Sequence, residues 1–429
     1  MNMLAINGER LWQSLMDLAA IGATPKGGNA RLALTALDGQ GRDLVAGWMR
    51  EAGLSVTVDQ VGNIFARRAG RNNALAPVMT GSHIDTQPTG GKFDGCYGVL
   101  AGLEVMRTLN DHGITTEAPL EVAIWTNEEG SRFVPVMMGS GVFAGVFPLE
   151  TALSATDVAG KRVADELAAI GYAGDAEVGR KVGAYFEAHI EQGPVLEAED
   201  NVIGVVTGSL GLRWYDVTVT GMEAHAGPTP MPLRKDALYG ATFLMQEVIR
   251  IANDFAPYGR GTVGVVNVHP SSRNVIPGAV KFTVDLRHLD PARLAEMDAR
   301  FRAACAAVAD GTTTGAALDV AVEDVQYFAP TPFATELISH VRQEAAARGY
   351  SHQDIVTGAG HDAVYIAGIA PTAMIFVPCK DGISHNEIED AKPAHLEAGA
   401  NVLLGAMVAQ ANANTNTNTN TNTNTNTNT

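Results

Sequence analysis

The sequence predicts an α/β protein in which a discontinuous domain with a mostly parallel sheet carries an inserted ferredoxin-like domain. Two observations predict this fold class. In the first half of the chain, short apolar runs alternate with stretches of helical periodicity, as in the strand–helix–strand units of parallel sheets. From about residue 211 the predicted order changes to β-α-β-β-α-β, and the first pattern resumes after residue 327.

In the first half, short apolar runs predict strands at residues 55–58, 63–67, 77–83 and 120–126. Apolar residues at near-3.6 spacing predict a helix over residues 98–112, and a further strand is predicted over 184–190. In parallel sheets, ligands collect at the carboxyl ends of strands. Because His83, His189 and the pair Glu128–Glu129 all lie at or just beyond such ends, a functional site is expected there.

The inserted domain is predicted over residues 211–327, with strands at 213–220, 261–269, 279–287 and 318–325 and helices at 234–255 and 291–309. Residues 1–210 and 328–411 form the other domain, whose second part has a helix over 335–348, a strand over 372–377 and a helix over 392–410. Residues 412–429 alternate almost purely between Asn and Thr, so they have no apolar face to bury and are predicted to be disordered.

The charge balance argues against nucleic-acid and membrane-surface partners. With 30 Lys+Arg against 47 Asp+Glu, the formal net charge of -17 repels phosphate backbones and anionic lipid. Cys96, Cys305 and Cys379 are sparse and form no CxxC pair, which fits a reducing compartment. No apolar stretch approaches the ~18 residues of a membrane span, and the first residues lack a secretory pattern. We therefore expect a cytoplasmic protein.

The densest group of candidate metal ligands lies in the segment GSHIDTQPTGGKFDG at residues 81–95. A predicted strand ends at His83, and the carboxylate of Asp85 is expected to accept a hydrogen bond from the imidazole N–H. Such a bond selects the tautomer and raises the basicity of a metal-bound histidine. A glycine-rich loop then leads to Asp94, just before the predicted helix. Taken singly, His83 could equally be a strand-end histidine and Asp94 a helix N-cap.

Adjacent carboxylates, those of Glu128 and Glu129, close the next apolar strand. Two neighbouring glutamates at a sheet edge repel each other, so the pair is costly without a cation nearby. One glutamate can bind a metal ion, which lowers the pKa of a bound water toward ~7, while the other moves the proton. This division of roles suits metal-assisted hydrolysis. A solvated turn is the alternative interpretation.

Two further histidines complete the set of candidate ligands: His189 in EAHIEQG and His385 in GISHNE. Each abuts apolar residues, so a buried structural histidine is the alternative for each one alone. The combined set has three histidines, one aspartate and one glutamate from separate segments. Mixed nitrogen and oxygen ligands suit Zn²⁺, Mn²⁺, Co²⁺ or Ni²⁺.

The chain resembles the M20-type metallohydrolases, in particular the branch of N-carbamoyl-L-amino-acid hydrolases, β-ureidopropionases and allantoate amidohydrolases. The resemblance is carried by the motifs GSHIDTQPTGGKFDG, TNEEGSRF, EAHIEQGP, GMEAHAGPTPM, RNVIP, GAGHDA and ISHNE. They occur in the expected order over about residues 5–410. The peptidase branch carries a carboxylate where this chain has His189, so the resemblance favours the carbamoyl branch.

The resemblance implies a dinuclear centre in which Asp94 bridges two divalent metal ions. One ion would be held by His83 and His189, and the other by Glu129 and His385. Zn²⁺ is the first expectation, with Mn²⁺, Co²⁺ and Ni²⁺ as alternatives.

The resemblance also implies roles for residues around the metal ions. Glu128 would be the general base, and Gln192 would contact the ureido group of the substrate. His225 would stabilise the oxyanion and would reach the active site of the partner subunit in a homodimer. Asn274 and Arg287 would hold the substrate carboxylate, because the planar guanidinium pairs with carboxylates bidentately.

Three residues, His225, Arg287 and His361, have alternative interpretations when they are considered without the resemblance. His225 could be a turn residue, and Arg287 could be an exposed strand residue. Gly360 would line the pocket, where glycine permits close approach of a ligand to the backbone. Its neighbour His361 could be a pocket residue or a structural one.

The expected activity is hydrolysis of an N-carbamoyl amino acid, of the β-alanine or L-amino-acid type, to the amino acid, CO₂ and ammonia. Allantoate amidohydrolase is the nearest alternative, since the same machinery would act on another ureido substrate. His189 argues against a peptidase or an N-acyl-amino-acid deacylase. A catalytically silent binding module would be expected to have lost a ligand or the base, yet all six positions are filled.

Overall fold

The structure, a computed structural model, describes residues 3–413. Contacts between residues divide the chain into two compact units. Unit 1 combines the residues up to Thr207 with those from Phe333 onward, and unit 2 is Gly208–Pro332. The predicted disordered stretch, residues 412–429, lies outside the described residues apart from Asn412, which ends a helix, and Ala413.

Among the described residues, the helices of unit 1 are α1 (Gly8–Ala20), α2 (Ala36–Glu51), α3 (Cys96–Asp111), α4 (Met138–Phe143), α5 (Leu149–Ser154), α6 (Val163–Ala169), α7 (Val195–Ala198), α10 (Thr335–Ala347), α11 (Asp362–Ile366) and α12 (Pro393–Asn412), and those of unit 2 are α8 (Ala237–Asp254) and α9 (Pro291–Ala309). Within residues 3–413, no helix combines the length and the apolar character that crossing a membrane requires.

The strands are β1 (Ser55–Val58), β2 (Ile64–Arg68), β3 (Val78–His83), β4 (Leu120–Trp125), β5 (Ala184–Ile190), β6 (Ile203–Ser209), β7 (Gly211–Thr220), β8 (Ala224–His225), β9 (Arg260–Thr262), β10 (Val266–His269), β11 (Val275–Ile276), β12 (Ala279–His288), β13 (Asp319–Phe328), β14 (Thr331–Pro332), β15 (His352–Thr357) and β16 (Thr372–Val377).

The larger sheet has the strand order β1-β2-β4-β3-β5-β16-β6-β14, and β15 pairs with β6. Its central strands β4, β3, β5 and β16 run parallel to one another. Strands β1, β2 and β6 extend the sheet on both sides in antiparallel orientation. The prediction of an α/β fold with a mostly parallel central sheet is therefore confirmed, with antiparallel strands added at its flanks.

Every residue of the four central strands is buried. Successive side chains of a strand point to opposite faces, so complete burial requires cover on both faces of the sheet. Helices α3 and α12 contact β3 and β5, while α4 contacts β4 and α11 contacts β16. Burial on both faces explains the near-continuous apolar runs of β4 and β16, which read LEVAIW and TAMIFV.

The carboxyl ends of the central strands carry the candidate ligands. His83 is the last residue of β3, and His189 is the last but one of β5. The pair Glu128–Glu129 follows β4, and His385 follows β16. Because these strands are parallel neighbours, their carboxyl ends meet at one edge of the sheet.

Unit 2 has its own antiparallel sheet, with the strand order β10-β12-β7-β13 and with β9 paired to β12. In chain order its main elements are β7, α8, β10, β12, α9 and β13, which is a β-α-β-β-α-β arrangement. Alternate residues of β12, including Phe282, Val284 and Leu286, are buried in a core that α8 and α9 share. Unit 2 therefore has a hydrophobic core of its own.

The predicted single strand over residues 261–269 is wrong, because the structure has two short strands, β9 and β10, in its place. Gly264 lies between them, and the N–H of Val265 donates to the hydroxyl of Thr283 at 3.1 Å instead of to a ladder carbonyl. The side chain of Thr283 thus replaces one backbone partner and interrupts the strand. Helices α1 and α2 and strand β6 are not among the predicted elements.

Candidate metal centre

Asp94 lies in the loop that leads from β3 into α3, at the centre of the candidate ligands of unit 1. Gly95 follows it with a φ of +67°. A Cβ atom on Gly95 would lie 2.3 Å from Nε2 of His83. Glycine is required here for both reasons, since other residues disfavour this φ and would collide with the imidazole. The loop can therefore hold Asp94 directly against the carboxyl edge of the sheet.

The two carboxylate oxygens of Asp94 face different histidines. Oδ1 lies 3.3 Å from Nε2 of His189 and 3.8 Å from Nε2 of His83. Oδ2 lies 3.3 Å from Nε2 of His385, which is also 3.2 Å from Oε2 of Glu129. The structure thus brings the five predicted ligands together as two groups that share Asp94.

The spacing and chemistry of both groups fit a divalent metal ion. A tetrahedral ion with bonds of about 2.0–2.2 Å places its ligand atoms about 3.3–3.6 Å apart. The separations between Asp94 and the histidines lie at or near this range. Each group offers three protein ligands, and three ligands with an open fourth position are typical of catalytic zinc sites. The residues present therefore fit two ions.

A third group of candidate ligands, Glu187, His189 and His361, also lies close together. Its polar atoms already have other partners. Nε2 of His361 lies 3.0 Å from the hydroxyl of Thr357, and the hydroxyl of Ser82 donates to Glu187 at 2.7 Å. We interpret this group as a hydrogen-bonded support behind His189 rather than as a further metal site.

Glu128 lies beside the first group of ligands, with its Oε2 atom 3.4 Å from Nε2 of His83. Burial raises the pKa of Glu128 well above its usual value, and the neighbouring carboxylates of Asp362 and Glu129 raise it further. A buried carboxylate whose pKa is raised in this way, next to candidate metal ligands, is typical of a general base.

The expected hydrogen bond between the Asp85 carboxylate and His83 is wrong. Nδ1 of His83 instead lies 2.9 Å from the backbone oxygen of Asp85, while the nearest carboxylate oxygen is 3.9 Å away. The carboxylate accepts the backbone N–H groups of Glu128 and Glu129, at 3.3 Å each. Asp85 therefore connects the two strand ends: its backbone orients the histidine, and its side chain holds the glutamate pair.

Protonated histidines balance the buried carboxylates when no cation is bound. Burial tends to raise the pKa of Asp94, but hydrogen bonds to His189 and His385 outweigh it and hold that pKa well below its usual value. Burial lowers the pKa of His189, but its contact with Asp94 raises the net pKa to about 9. Contacts with Asp94 and Glu129 raise the pKa of His385 to about 10. A metal ion must displace these protons to bind.

A cavity of about 160 Å³ opens beside the ligand cluster. The ligands and Glu128 line one part of it, and Val136, Met137 and Gly360 belong to an apolar part. A Cβ atom on Gly360 would lie 3.2 Å from Cε of Met137, so a larger residue at this position would press on the methionine. The lining of the cavity therefore combines a few apolar residues with polar and charged ones.

Gln192 also lines the cavity, and its backbone has a φ of +58°. Its Nε2 atom donates to Oδ2 of Asp94 at 2.8 Å. Its Oε1 atom is buried, and no hydrogen-bond donor among residues 3–413 reaches it. Because a buried acceptor without a partner is costly, this oxygen is suited to a donor that a ligand brings.

The predicted residues of unit 2 lie at two separate places: His225 and Asn274 at the two-stranded sheet of β8 and β11, and Arg287 in the five-stranded sheet. His225 in β8 lies next to Asn274, because β8 pairs with β11 and Asn274 directly precedes β11. The far end of β12 carries Arg287, whose guanidinium donates to Asp285 at 2.7 Å. Arg287 is eight residues beyond Ala279, the first residue of β12, a distance of about 26 Å along a strand. The structure therefore does not bring Asn274 and Arg287 together within one chain.

Sequence reasoning missed four side chains that support the site: Gln87, Glu187, Asp362 and Glu389. Gln87 donates to Oε2 of Glu129 at 2.7 Å. Strand alternation could have revealed Glu187, since it lies two residues before a candidate ligand and so shares its face. The other three lie within or next to motifs already singled out, but their roles depend on contacts that spacing in the sequence does not predict.

The fold and the site together define a candidate metal-dependent hydrolase. Residues 79–409 match the family described as Peptidase family M20/M25/M40. The chain therefore belongs to this family, whose enzymes are metal-dependent.

Similar proteins agree with this assignment. An N-carbamoyl-L-amino-acid amidohydrolase of Rhizobium meliloti is 50% identical over 407 residues, covering 95% of this chain and 97% of the relative. An allantoate amidohydrolase of Bacillus subtilis is 33% identical over 389 residues, covering 90% and 93%. The crystal structure of an amidase of the hydantoinase/carbamoylase family from Burkholderia multivorans has a TM-score of 0.92 and 61% identity, covering 95% and 98%.

Metal binding should release one proton for each protonated histidine that becomes a ligand. At pH 7.5, below the pKa values of His189 and His385, Zn²⁺ binding to metal-free protein should release about two protons per chain. Calorimetry in buffers of different ionisation enthalpy measures this number. As the pH rises through about 9 and about 10, the histidines lose their protons beforehand and the release should decline. Binding of Zn²⁺ at pH 7.5 without proton release would contradict the electrostatic account.

Proposed function

We propose that this chain hydrolyses the carbamoyl C–N bond of N-carbamoyl amino acids. One water and one substrate molecule would give the amino acid, CO₂ and ammonia. The observation that carries the proposal is the position of Glu128, 3.4 Å from His83 and beside two complete ligand groups that share Asp94. The similarity to an amidohydrolase of Rhizobium meliloti over 95% of the chain supports the same reaction.

We propose two divalent ions as the cofactor, with Zn²⁺ first and Mn²⁺, Co²⁺ or Ni²⁺ as alternatives. His83 and His189 would hold one ion, Glu129 and His385 the other, and Asp94 would bridge them. When bound, the ions supply Lewis-acid polarisation of the carbamoyl oxygen and an acidified water. Oδ1 and Oδ2 of Asp94 face the two groups separately, which supports a bridging role.

Glu128 would act as the general base and then as the general acid. Its carboxylate would take a proton from the attacking water as the new C–O bond forms at the carbamoyl carbon. It would then deliver this proton to the nitrogen that leaves as the C–N bond breaks. Burial and neighbouring carboxylates raise the pKa of Glu128, which makes it a better proton acceptor than an exposed glutamate.

Gln192 would recognise the ureido group. Its Nε2 atom is engaged by Asp94, so the amide is held with Oε1 as a buried acceptor. The terminal NH₂ of the ureido group supplies a donor that can satisfy this oxygen. An ester or a simple carboxylate at the same place would leave it without a partner, which costs about 1–3 kcal/mol.

His225 and Asn274 would act from the partner subunit of a homodimer, and unit 2 would be the dimerisation domain. Nδ1 of His225 accepts the N–H of Gly227 at 3.1 Å, so the neutral imidazole carries its proton on Nε2 and can donate to an oxyanion. Arg287 is at the far end of β12, about 26 Å along the strand from Ala279, and Asn274 precedes the start of that strand by five residues. A small substrate carboxylate can therefore meet both only if they come from different subunits.

Allantoate is the alternative substrate, because it also carries a ureido group and a carboxylate. The observation that supports this alternative is the 33% identity to an allantoate amidohydrolase of Bacillus subtilis. The buried acceptor on Gln192 does not discriminate between the two substrates, since both supply ureido N–H groups.

Ammonia release from a panel of substrates tests the proposed reaction. N-carbamoyl-L-amino acids should be hydrolysed, and N-acetyl amino acids, which lack the ureido NH₂, should react at least about tenfold more slowly because Oε1 of Gln192 stays unpaired. The panel includes N-carbamoyl-β-alanine, N-carbamoyl-D-amino acids and allantoate. Activity on the acetylated compounds alone would exclude the carbamoyl reaction, and activity on allantoate alone would select the alternative.

The variant Glu128→Gln should lower kcat by about 10²–10⁴-fold, because it removes the proton acceptor. Bound zinc per chain, measured by mass spectrometry, should stay at the wild-type value because Glu128 is not among the proposed ligands. Glu51→Gln, an exposed glutamate at the end of α2, serves as the control and should leave kcat unchanged. Near-normal kcat in Glu128→Gln would show that another group is the base.

Complementation between inactive chains tests the shared active site. Chains with Glu128→Gln and chains with His225→Ala should each be nearly inactive alone. When the two are co-expressed, each mixed dimer would contain one intact site, so random pairing should restore about one quarter of wild-type activity. No recovery, or a monomer by light scattering, would contradict the proposed dimer.

A further inference from the structure

Glu389 is a buried carboxylate that the proposed reaction does not use. It is 2% exposed. Its Oε1 atom accepts the backbone N–H of Phe93 at 2.8 Å and the backbone N–H of Asp94 at 3.2 Å. One oxygen therefore holds two consecutive peptide groups, the second of which belongs to the residue at the centre of the ligand cluster.

The same residue is tied to the segment that carries His385. Its backbone N–H donates to the carbonyl of Asn386 at 3.0 Å, which closes a turn directly after the histidine. Glu389 therefore links two segments that are almost three hundred residues apart in the chain. Each of these segments presents a ligand to the second group.

The packing around Glu389 leaves space only for its carboxylate. A Cβ atom on Gly91 would lie 2.0 Å from Cδ of Glu389. Gly91 is not among the residues with positive φ, so the absence of a side chain there serves the carboxylate and not the backbone conformation. Earlier in the loop, the N–H of Gly90 donates to the carbonyl of Asn29 at 2.9 Å. The loop is thus held at Gly90 as well as at residues 93–94.

A carboxylate in this position is electrostatically unfavourable. It lies next to the Asp94 carboxylate, and no hydrogen-bond donor within the described part of the chain reaches its Oε2 atom. Burying such a group costs free energy unless its hydrogen bonds compensate. Its two bonds to the loop are therefore the structural reason for a glutamate here.

We propose that Glu389 is a positioning residue that places Asp94 between the two metal ions, by fixing the backbone of residues 93–94 against the segment that carries His385. This inference rests on the proposed metal centre. Glu389 touches neither substrate nor metal; it acts through Asp94. Hydrogen bonds of this kind to the groups behind a ligand are typically worth 10–100-fold in metal affinity.

Glu389→Leu keeps the bulk of the side chain and removes both acceptors. We expect this variant to bind Zn²⁺ about 10–100-fold more weakly, measured by competition with a fluorescent chelator at pH 7.5. Glu389→Gln keeps Oε1 as an acceptor, so its affinity should stay within about threefold of wild type.

A matched control separates positioning from general destabilisation. Glu104 on α3 is equally buried and accepts a hydrogen bond from Arg10 at 2.8 Å, away from the ligand cluster. Glu104→Leu should lower the unfolding temperature of the metal-free protein and leave its Zn²⁺ affinity unchanged. Glu389→Leu should differ by losing affinity beyond what its change in unfolding temperature accounts for.

Gly91→Ala provides a second route to the same change, and it decides the question if Glu389→Leu does not fold. The added methyl would push the carboxylate away from the loop without deleting it, so Zn²⁺ affinity should fall as in Glu389→Leu. The double variant should lose no more than either single one, because both remove the same contact. Gly47→Ala, where an added Cβ meets nothing within 4 Å, is the control.

The outcomes separate this inference from the proposed metal centre. Wild-type protein that binds fewer than two Zn²⁺ ions would overturn the metal centre, and the inference with it. If wild type binds two ions, wild-type affinity in Glu389→Leu or in folded Gly91→Ala would overturn the positioning role alone. Equal losses in Glu389→Gln and Glu389→Leu would also overturn it, since the acceptor would then be irrelevant.

Discussion

The carboxylate of Asp94 is the group on which the rest of this site depends. It is almost fully buried, and its two oxygens face His189 on one side and His385 on the other. A buried carboxylate surrounded by other carboxylates is stable only if positive charge lies within a few ångströms. Protons on the histidines supply that charge in the metal-free protein, and two cations would supply it in the proposed enzyme. The need for positive charge around Asp94 therefore accounts both for the protonated histidines of the metal-free protein and for the proposed binding of two cations.

The backbone positions the side chains of this site even without a bound ligand. Parallel strands end at one edge, which places His83 and His189 side by side, and Gly95 lets the loop bring Asp94 to them. Backbone carbonyls then orient the imidazoles: those of Asp85 and Ile190 lie 2.9 Å from Nδ1 of His83 and His189 respectively. Each Nε2 atom is thereby directed toward Asp94. Such preorganisation leaves little reorganisation to be done when a cation or a transition state appears.

In unit 2, the constraint is the distance between two candidate substrate-binding residues, Asn274 and Arg287. Asn274 lies in the turn before β11, outside the five-stranded sheet, whereas Arg287 lies at the far end of β12 within it. A single small molecule cannot bridge them. The pairing of β8 with β11, by contrast, makes His225 and Asn274 neighbours. The proposed homodimer follows from this geometry together with the proposed substrate, because a second chain is the simplest source of the missing contacts.

The sequence by itself determined the α/β class, the order of most elements and the five candidate ligands. Apolar periodicity is a local property, and residues such as His83 and His189 lie at strand ends that this periodicity locates. Only the tertiary structure decided that the carbonyl of Asp85, and not its carboxylate, meets His83, and that Glu389 holds the loop before Asp94. The Asp85 contact depends on the path of the backbone after β3, and the Glu389 contact joins segments 296 residues apart. Spacing in the sequence encodes neither contact, because both depend on backbone geometry that is set only when the chain has folded.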